Sequence, residues 1–207
     1  RPSAGGDVDA LPAAQLEELQ RDLSATLSLV VRGSEWGYCQ GMNMVAAVLL
    51  LELGSPQLAA RVMLHLLSAH CIAALYCERC AVLSDMLALV DSVAEQRIPH
   101  LHHHLRSHGC PPHIFALEWL TTLFACGLGS RGACVAIDLV LAGLPDALLR
   151  MTLATLYLLE PHALRVDGDD LMVGFKRMVT GIPLASIAAL ALALKPIRAD
   201  EGQLLVF

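Results

Sequence analysis

Apolar residues recur at steps of three and four along nearly the whole chain. Leu16, Leu19, Leu23, Leu27 and Val30 form the first such stripe, the spacing that lines one face of an α-helix. Pro12 suits the first turn of that helix and Gly33 its end. The next periodic segment runs over 42–53 and stops at Gly54. Ser55-Pro56 reads as an N-cap followed by a first-turn proline, opening a helix through residue 65. Further helical segments are predicted at 81–96, 99–106, 113–125, 133–142, 146–159, 169–179 and 184–194, with a last short piece at 197–205. Asp167 or Asp169 is placed to cap the segment at 169. Gly109-Cys110-Pro111-Pro112, the glycines at 127 and 129, and Gly143-Leu144-Pro145 punctuate the series.

Two stretches, 44–51 and 187–194, are apolar on more than one face, the pattern of helices buried inside a larger bundle. Alternating Val/Ile/Thr runs with hairpin turns are absent, so strands have little support. No fixed-period repeat or low-complexity linker divides the chain. The expectation is an all-α fold. One multi-helix domain of about ten helices with short Gly/Pro-punctuated connections would cover 11–207, after a flexible segment at 1–10.

Composition sharpens this. The 207 residues suffice for a full core without a metal or disulfide staple. Hydrophobic residues are 56% and charged residues 16%, which excludes a disordered tail. The net charge of −6 argues against nucleic acid as a partner. A mean hydropathy of +0.57 raises the question of a membrane. The longest apolar run, 183–194, falls short of the roughly 20 residues a spanning helix needs, so no transmembrane segment is expected. No apolar leader follows the first residues and no Met opens the chain, which suggests a piece of a longer protein. Seven cysteines, mostly in apolar runs, read as reduced thiols and an intracellular, cytoplasmic setting.

Candidate chemistry is sparse. Cys77 and Cys80 have the spacing of a zinc half-site or redox pair, with Cys71 and His70 as the nearest further ligands. Helix-buried thiols are the simpler reading. Six histidines lie between 100 and 113, and His100 with His104 is the pair whose spacing could chelate. No phosphate-cradling loop, dinucleotide fingerprint or nucleophile elbow is present, so no cofactor of its own is expected. The distinctive segment is Gly37-Tyr38-Cys39-Gln40-Gly41-Met42-Asn43. Its glycines permit a tight bend or a close approach, and they place an uncharged donor and acceptor, Gln40, before an apolar helix. A plain helix connection with a polar tip has the same pattern.

That segment resembles the glutamine motif (YxQGMN) of the TBC domain, the Rab GTPase-activating domain family. The resemblance extends to Ile98-Pro99-His100-Leu101 and Pro112-His113-Ile114-Phe115-Ala116, to Glu118-Trp119-Leu120 through Phe124, and to Asp138 at the family's Trp-Asp position, where Ile137 replaces the Trp. It spans about 16–183. What it implies is an all-helical domain acting on a Rab-type small GTPase, with catalytic groups supplied in trans. GTP and Mg²⁺ would belong to the partner. Gln40 would orient the attacking water, with Tyr38, Gly41 and Asn43 holding its loop in shape. The family also supplies an arginine from an IxxDxxR motif. The local look-alike, residues 19–25, carries Asp22 but ends in Ala25. Residues 16–32 align better as the helix before the glutamine loop, which puts the arginine motif before residue 1 or leaves the protein without one. The second function open is therefore a GTPase-binding or scaffolding module that does not accelerate hydrolysis. Association with endomembranes would be peripheral, through the partner.

Overall fold

The computed structural model describes residues 12–70, 72–76, 81–166 and 170–197, without the side chain of Asp170. Among these residues there are ten α-helices, one 3-10 helix and no strand. The helices are α1 (Ala13–Gly33), α2 (Met42–Leu53), α3 (Pro56–Ala69), α4 (Ala81–Arg97), α5 (Pro99–Ser107), α6 (Pro112–Thr121), α7 (Ala125–Leu141), α8 (Ala147–Ala163), α9 (Asp170–Thr180) and α10 (Leu184–Ala193). A 3-10 helix, Ile72–Tyr76, lies between α3 and α4; no sequence signal announced it.

Two of the sequence signals act where they were read, while Pro12 stands just outside α1 at its N-cap and Gly33 is its last helical residue. Ser55 accepts from the Leu58 N–H at 3.4 Å with Pro56 opening α3. Gly54 closes α2 in the left-handed conformation, its N–H donating to the Leu50 carbonyl. α3 and α8 run about a turn further than their patterns suggested. α8 continues through Pro161 in its last turn, where the lost N–H removes only one ladder bond.

The centre of the fold is α8. Twelve of its 17 residues are buried, and it packs on α4, α5, α6, α7, α9 and α10. α1, α2 and α3 pack on one another, and α2 reaches the rest of the bundle mainly through α7.

Two expectations need correction. The helix expected over 113–125 ends at Thr121. Leu123 and Phe124 adopt left-handed backbone (φ 46° and 67°) with both side chains fully buried. The Phe124 N–H turns back to the Trp119 carbonyl at 2.7 Å. Gly127 then passes so close to the Trp119 indole that a side chain there would strike it, so α7 begins with a kink over 126–129. The apolar run through Leu120, Leu123 and Phe124 keeps a helical rhythm, which hides the break.

The second correction is α10. Only Ile187 and Ala191 are buried, and Leu192 is exposed, because α10 lies along one side of α7 and α8 instead of inside the bundle. Of the short last piece expected at 197–205, Ile197 alone is described. Ile197 is non-helical, and its N–H donates to Asp146 Oδ2 at 2.9 Å; residues 198–205 lie outside the described residues, as do 1–10 and the capping candidates Asp167 and Asp169.

Arg150 fastens α10 to α8. Its side chain is buried, with Nε donating to the Ala191 carbonyl and an Nη to the Leu192 carbonyl, each at 2.8 Å. These are carbonyls at the C-terminal end of α10, where the helix carries partial negative charge. No carboxylate among the described residues pairs with this cation.

No single described helix is long and apolar enough to cross a membrane. Two bent helix pairs, Pro112–Thr121 with Ala125–Leu141 and Leu171–Thr180 with Leu184–Ala193, meet the requirement by length and composition together. In the first pair the apolar side chains Phe115, Trp119, Leu120, Ile137 and Val140 are buried in the protein core.

Candidate functional site

The glutamine segment forms a bend that opens α2. The Met42 N–H donates to the Cys39 carbonyl at 3.2 Å, and the Cys39 N–H donates to Met42 Sδ at 3.4 Å. Met42 is fully buried and anchors the C-terminal side of the bend. Gly41 has φ 102°, a conformation that favours glycine, and its Cα lies against the Thr121 carbonyl so closely that any Cβ would collide with the oxygen. The bend is thus seated on the C-terminal end of α6.

Gln40 sits at the tip of this bend and is exposed. Its side chain makes no hydrogen bond to a described residue. Tyr38 is 51% exposed. Asn43 is half-buried in the first turn of α2, and its Oδ1 is shielded from solvent without a hydrogen-bond partner among the described residues. Gly41 therefore meets the neighbouring element directly, whereas Tyr38 faces outward.

A groove of about 520 Å³ runs along α1 to this point, bounded by Leu23, Leu27, Val31, Arg32 and Tyr38 among others. Gln40 lies two residues beyond its Tyr38 edge. Arg32 is exposed in the last turn of α1. Arg21 donates through Nε to the Glu17 carbonyl of its own helix at 3.3 Å. Ala25 is an exposed position of α1. A second cavity, about 290 Å³, lies between the 3-10 helix and the α7–α8 connection and includes none of the motif residues.

Sequence reasoning missed Tyr76 and Thr121. The Tyr76 hydroxyl donates to the Thr121 carbonyl at 2.8 Å, the same oxygen against which Gly41 rests. Burial, and secondarily the neighbouring Cys39, push the Tyr76 phenol above its ordinary pKa. The phenol therefore stays a donor. No local pattern marks this pair, because 45 residues separate its members.

The other candidates do not converge. His104 Nε2 is paired with the Val166 carbonyl at 2.9 Å, so the His100–His104 spacing does not make a free chelating pair. His102 and His113 instead face Asp91 at 3.7 and 3.4 Å, with Arg106 on its other oxygen at 2.7 Å. Among the described residues no group of three or more His, Cys, Asp or Glu is arranged to hold a metal ion. Cys71, Cys77 and Cys80 lie outside the described residues.

An all-helical bundle presenting an exposed glutamine on a glycine bend defines the class of domain. A family model for the Rab-GTPase-TBC domain matches residues 10–164. The chain belongs to that family. It is 27% identical over 158 residues to TBC1 domain family member 14 of Bos taurus, covering 74% of this chain and 23% of that protein. It is 22% identical over 147 residues to the ecotropic viral integration site 5 ortholog of Drosophila melanogaster, covering 71% of this chain and 18% of that protein. The chain spans about a fifth of the length of these relatives. Among solved structures, the crystal structure of the Chlamydomonas flagellar RabGAP TBC domain superposes with a TM-score of 0.69 at 22% identity. That match covers 92% of this chain and 63% of the other, and it shows the shared fold.

Proposed function

We propose that this chain is the GTPase-activating module of a protein acting on Rab-family small GTPases, with Gln40 entering the partner's site in trans. The observation that carries this reading is the exposed Gln40 on a bend whose backbone is fixed on both sides, by buried Met42 and by the Gly41–Thr121 contact. A small GTPase hydrolyses GTP slowly while its water is poorly oriented and the transition-state charge is incompletely neutralised. A neutral amide suits the first task. Its carbonyl accepts from the attacking water and its NH₂ donates to a phosphoryl oxygen. Pre-organisation limits the ordering cost when the loop docks. GTP and Mg²⁺ would be held by the GTPase, and the module would work inside the cell at the membrane surface the GTPase occupies.

A second reading is favoured by one specific position. The stretch that looks like the family's arginine motif ends in Ala25. An arginine finger contributes about 10³–10⁵ in rate, so a chain without one would bind a GTPase and accelerate it little. Single-turnover GTP hydrolysis with a panel of Rab proteins tests both, using this chain and a longer protein that contains it. The proposal expects hydrolysis to rise with the longer protein and to fall by about tenfold or more on Gln40→Ala, with GTPase binding retained. Unchanged hydrolysis on Gln40→Ala in an active protein removes Gln40 from the mechanism. Binding without acceleration in every context establishes the second reading.

A further inference from the structure

We infer that Tyr76 is a positioning residue for Gln40, acting through the Thr121 carbonyl; this rests on the role of Gln40 proposed above. Thr121 ends α6, and its carbonyl lies beyond the helix's own ladder. The N–H groups that could have reached it go elsewhere: Phe124 to the Trp119 carbonyl, Ala125 to the Thr122 carbonyl and Cys126 to Thr122 Oγ1. The oxygen takes the Tyr76 hydroxyl at 2.8 Å instead. It is also the surface against which Gly41 stops. In the turn that follows, Leu123 and Phe124 hold left-handed backbone, a conformation that persists only where its surroundings over-determine it.

Tyr76 is 4% exposed, so water does not replace its hydroxyl. Burial, and then the nearby Cys39, raise its pKa, which keeps it protonated and donating. Tyr76 thus pins the seat of the bend from below while Gly41 rests on it from above. Without the hydroxyl, the end of α6 and the bend lose their common fixed point, and Gln40 samples a wider range of positions.

The test is Tyr76→Phe in the full chain, which keeps the ring in the core and removes only the donor. The control is Tyr157→Phe, which removes another tyrosine-to-carbonyl bond, to Arg97, away from the bend. Amide hydrogen exchange at Cys39 through Met42 is expected to speed about tenfold in Tyr76→Phe, beyond any rise in α8, and to stay unchanged in Tyr157→Phe. With a responsive Rab, kcat is expected to fall while KM stays within about twofold. A uniform rise in exchange across all helices, or no rise at the bend, overturns the inference. So does a fall in kcat matched by the control. If Tyr76→Phe does not fold, the unsubstituted chain decides. Its Tyr76 hydroxyl proton is expected to be protected from solvent, with nuclear Overhauser contacts to Thr121 and Gly41, and their absence overturns the inference. Faster exchange at the bend in a chain that activates no GTPase supports the pin and fails the proposed function alone. A Gln40-dependent activity untouched by Tyr76→Phe fails the pin alone.

Discussion

Gly41 carries two constraints at one position: a backbone at φ 102° and a contact with the Thr121 carbonyl. Alanine there violates both. Left-handed backbone costs a residue with a Cβ about 1–2 kcal/mol, and overpacking adds about 1–3 kcal/mol. Gly41→Ala is expected to lower stability by about 2–5 kcal/mol, seen as a lower urea midpoint at unchanged slope. A neutral result means that the bend can lift from α6 at no cost, which the seat described here forbids. Cys134 offers a titration at the same scale. Burial, and then the Glu52 carboxylate, push its thiol up to about 11 from an ordinary value of 9.0. The folded state favours the thiol, so this contribution to stability is intact below about pH 9 and is lost as pH rises towards 11. At pH 8, alkylation of Cys134 is expected to run about a hundredfold slower in the folded chain than in urea. Peptide-resolved mass spectrometry measures both rates, and equal rates contradict the shift.

Elements differ in how plainly the sequence announced them. α2 was legible to the residue, because the glycine bend and Gly54 bracket an unbroken apolar helix. α1 was legible from its stripe of leucines. The break after Thr121 was not, since it is set by local contacts that apolar periodicity does not report: Gly127 against Trp119, and the Thr122 hydroxyl accepting from Cys126. The same holds for the site. The motif marked Gln40 and Gly41, but Tyr76 and Thr121 became visible only when folding brought them together. Arg150 is the clearest case of an element held by something periodicity cannot see. α10 buries only two side chains, so its attachment leans on the guanidinium bonds to Ala191 and Leu192. Arg150→Ala leaves those carbonyls without their donors and is expected to cost about 2–4 kcal/mol. Hydrogen exchange should rise first in α10, and Arg150→Lys should restore it only partly, because an ammonium lacks the planar fork. Exchange that rises equally in α1 and α10 argues against a local clamp.

At the scale of the whole molecule, the proposed activity and the stability rest on different parts. The core centres on α8, where Leu156 is fully buried. Gln40 is exposed, and its side chain makes no hydrogen bond to a described residue. Leu156→Ala removes buried methyl groups and leaves a cavity, at a cost of about 2–5 kcal/mol. For a chain of this size each kcal/mol moves Tm by about 2–4 °C, so calorimetry is expected to show a fall of about 5–20 °C. Gln40→Ala removes no packing and should leave Tm within about 1–2 °C, since surface substitutions stay near ±0.5 kcal/mol. Hydrolysis should invert this order. Well below either Tm, Leu156→Ala is expected to retain the activation per folded molecule, because the bend is fixed by Met42, Gly41 and Thr121 and not by α8. Gln40→Ala is expected to lose it. If both substitutions lower activation in proportion to the stability they remove, the amide at 40 is not a chemical group of the reaction, and the domain acts through its folded surface as a whole.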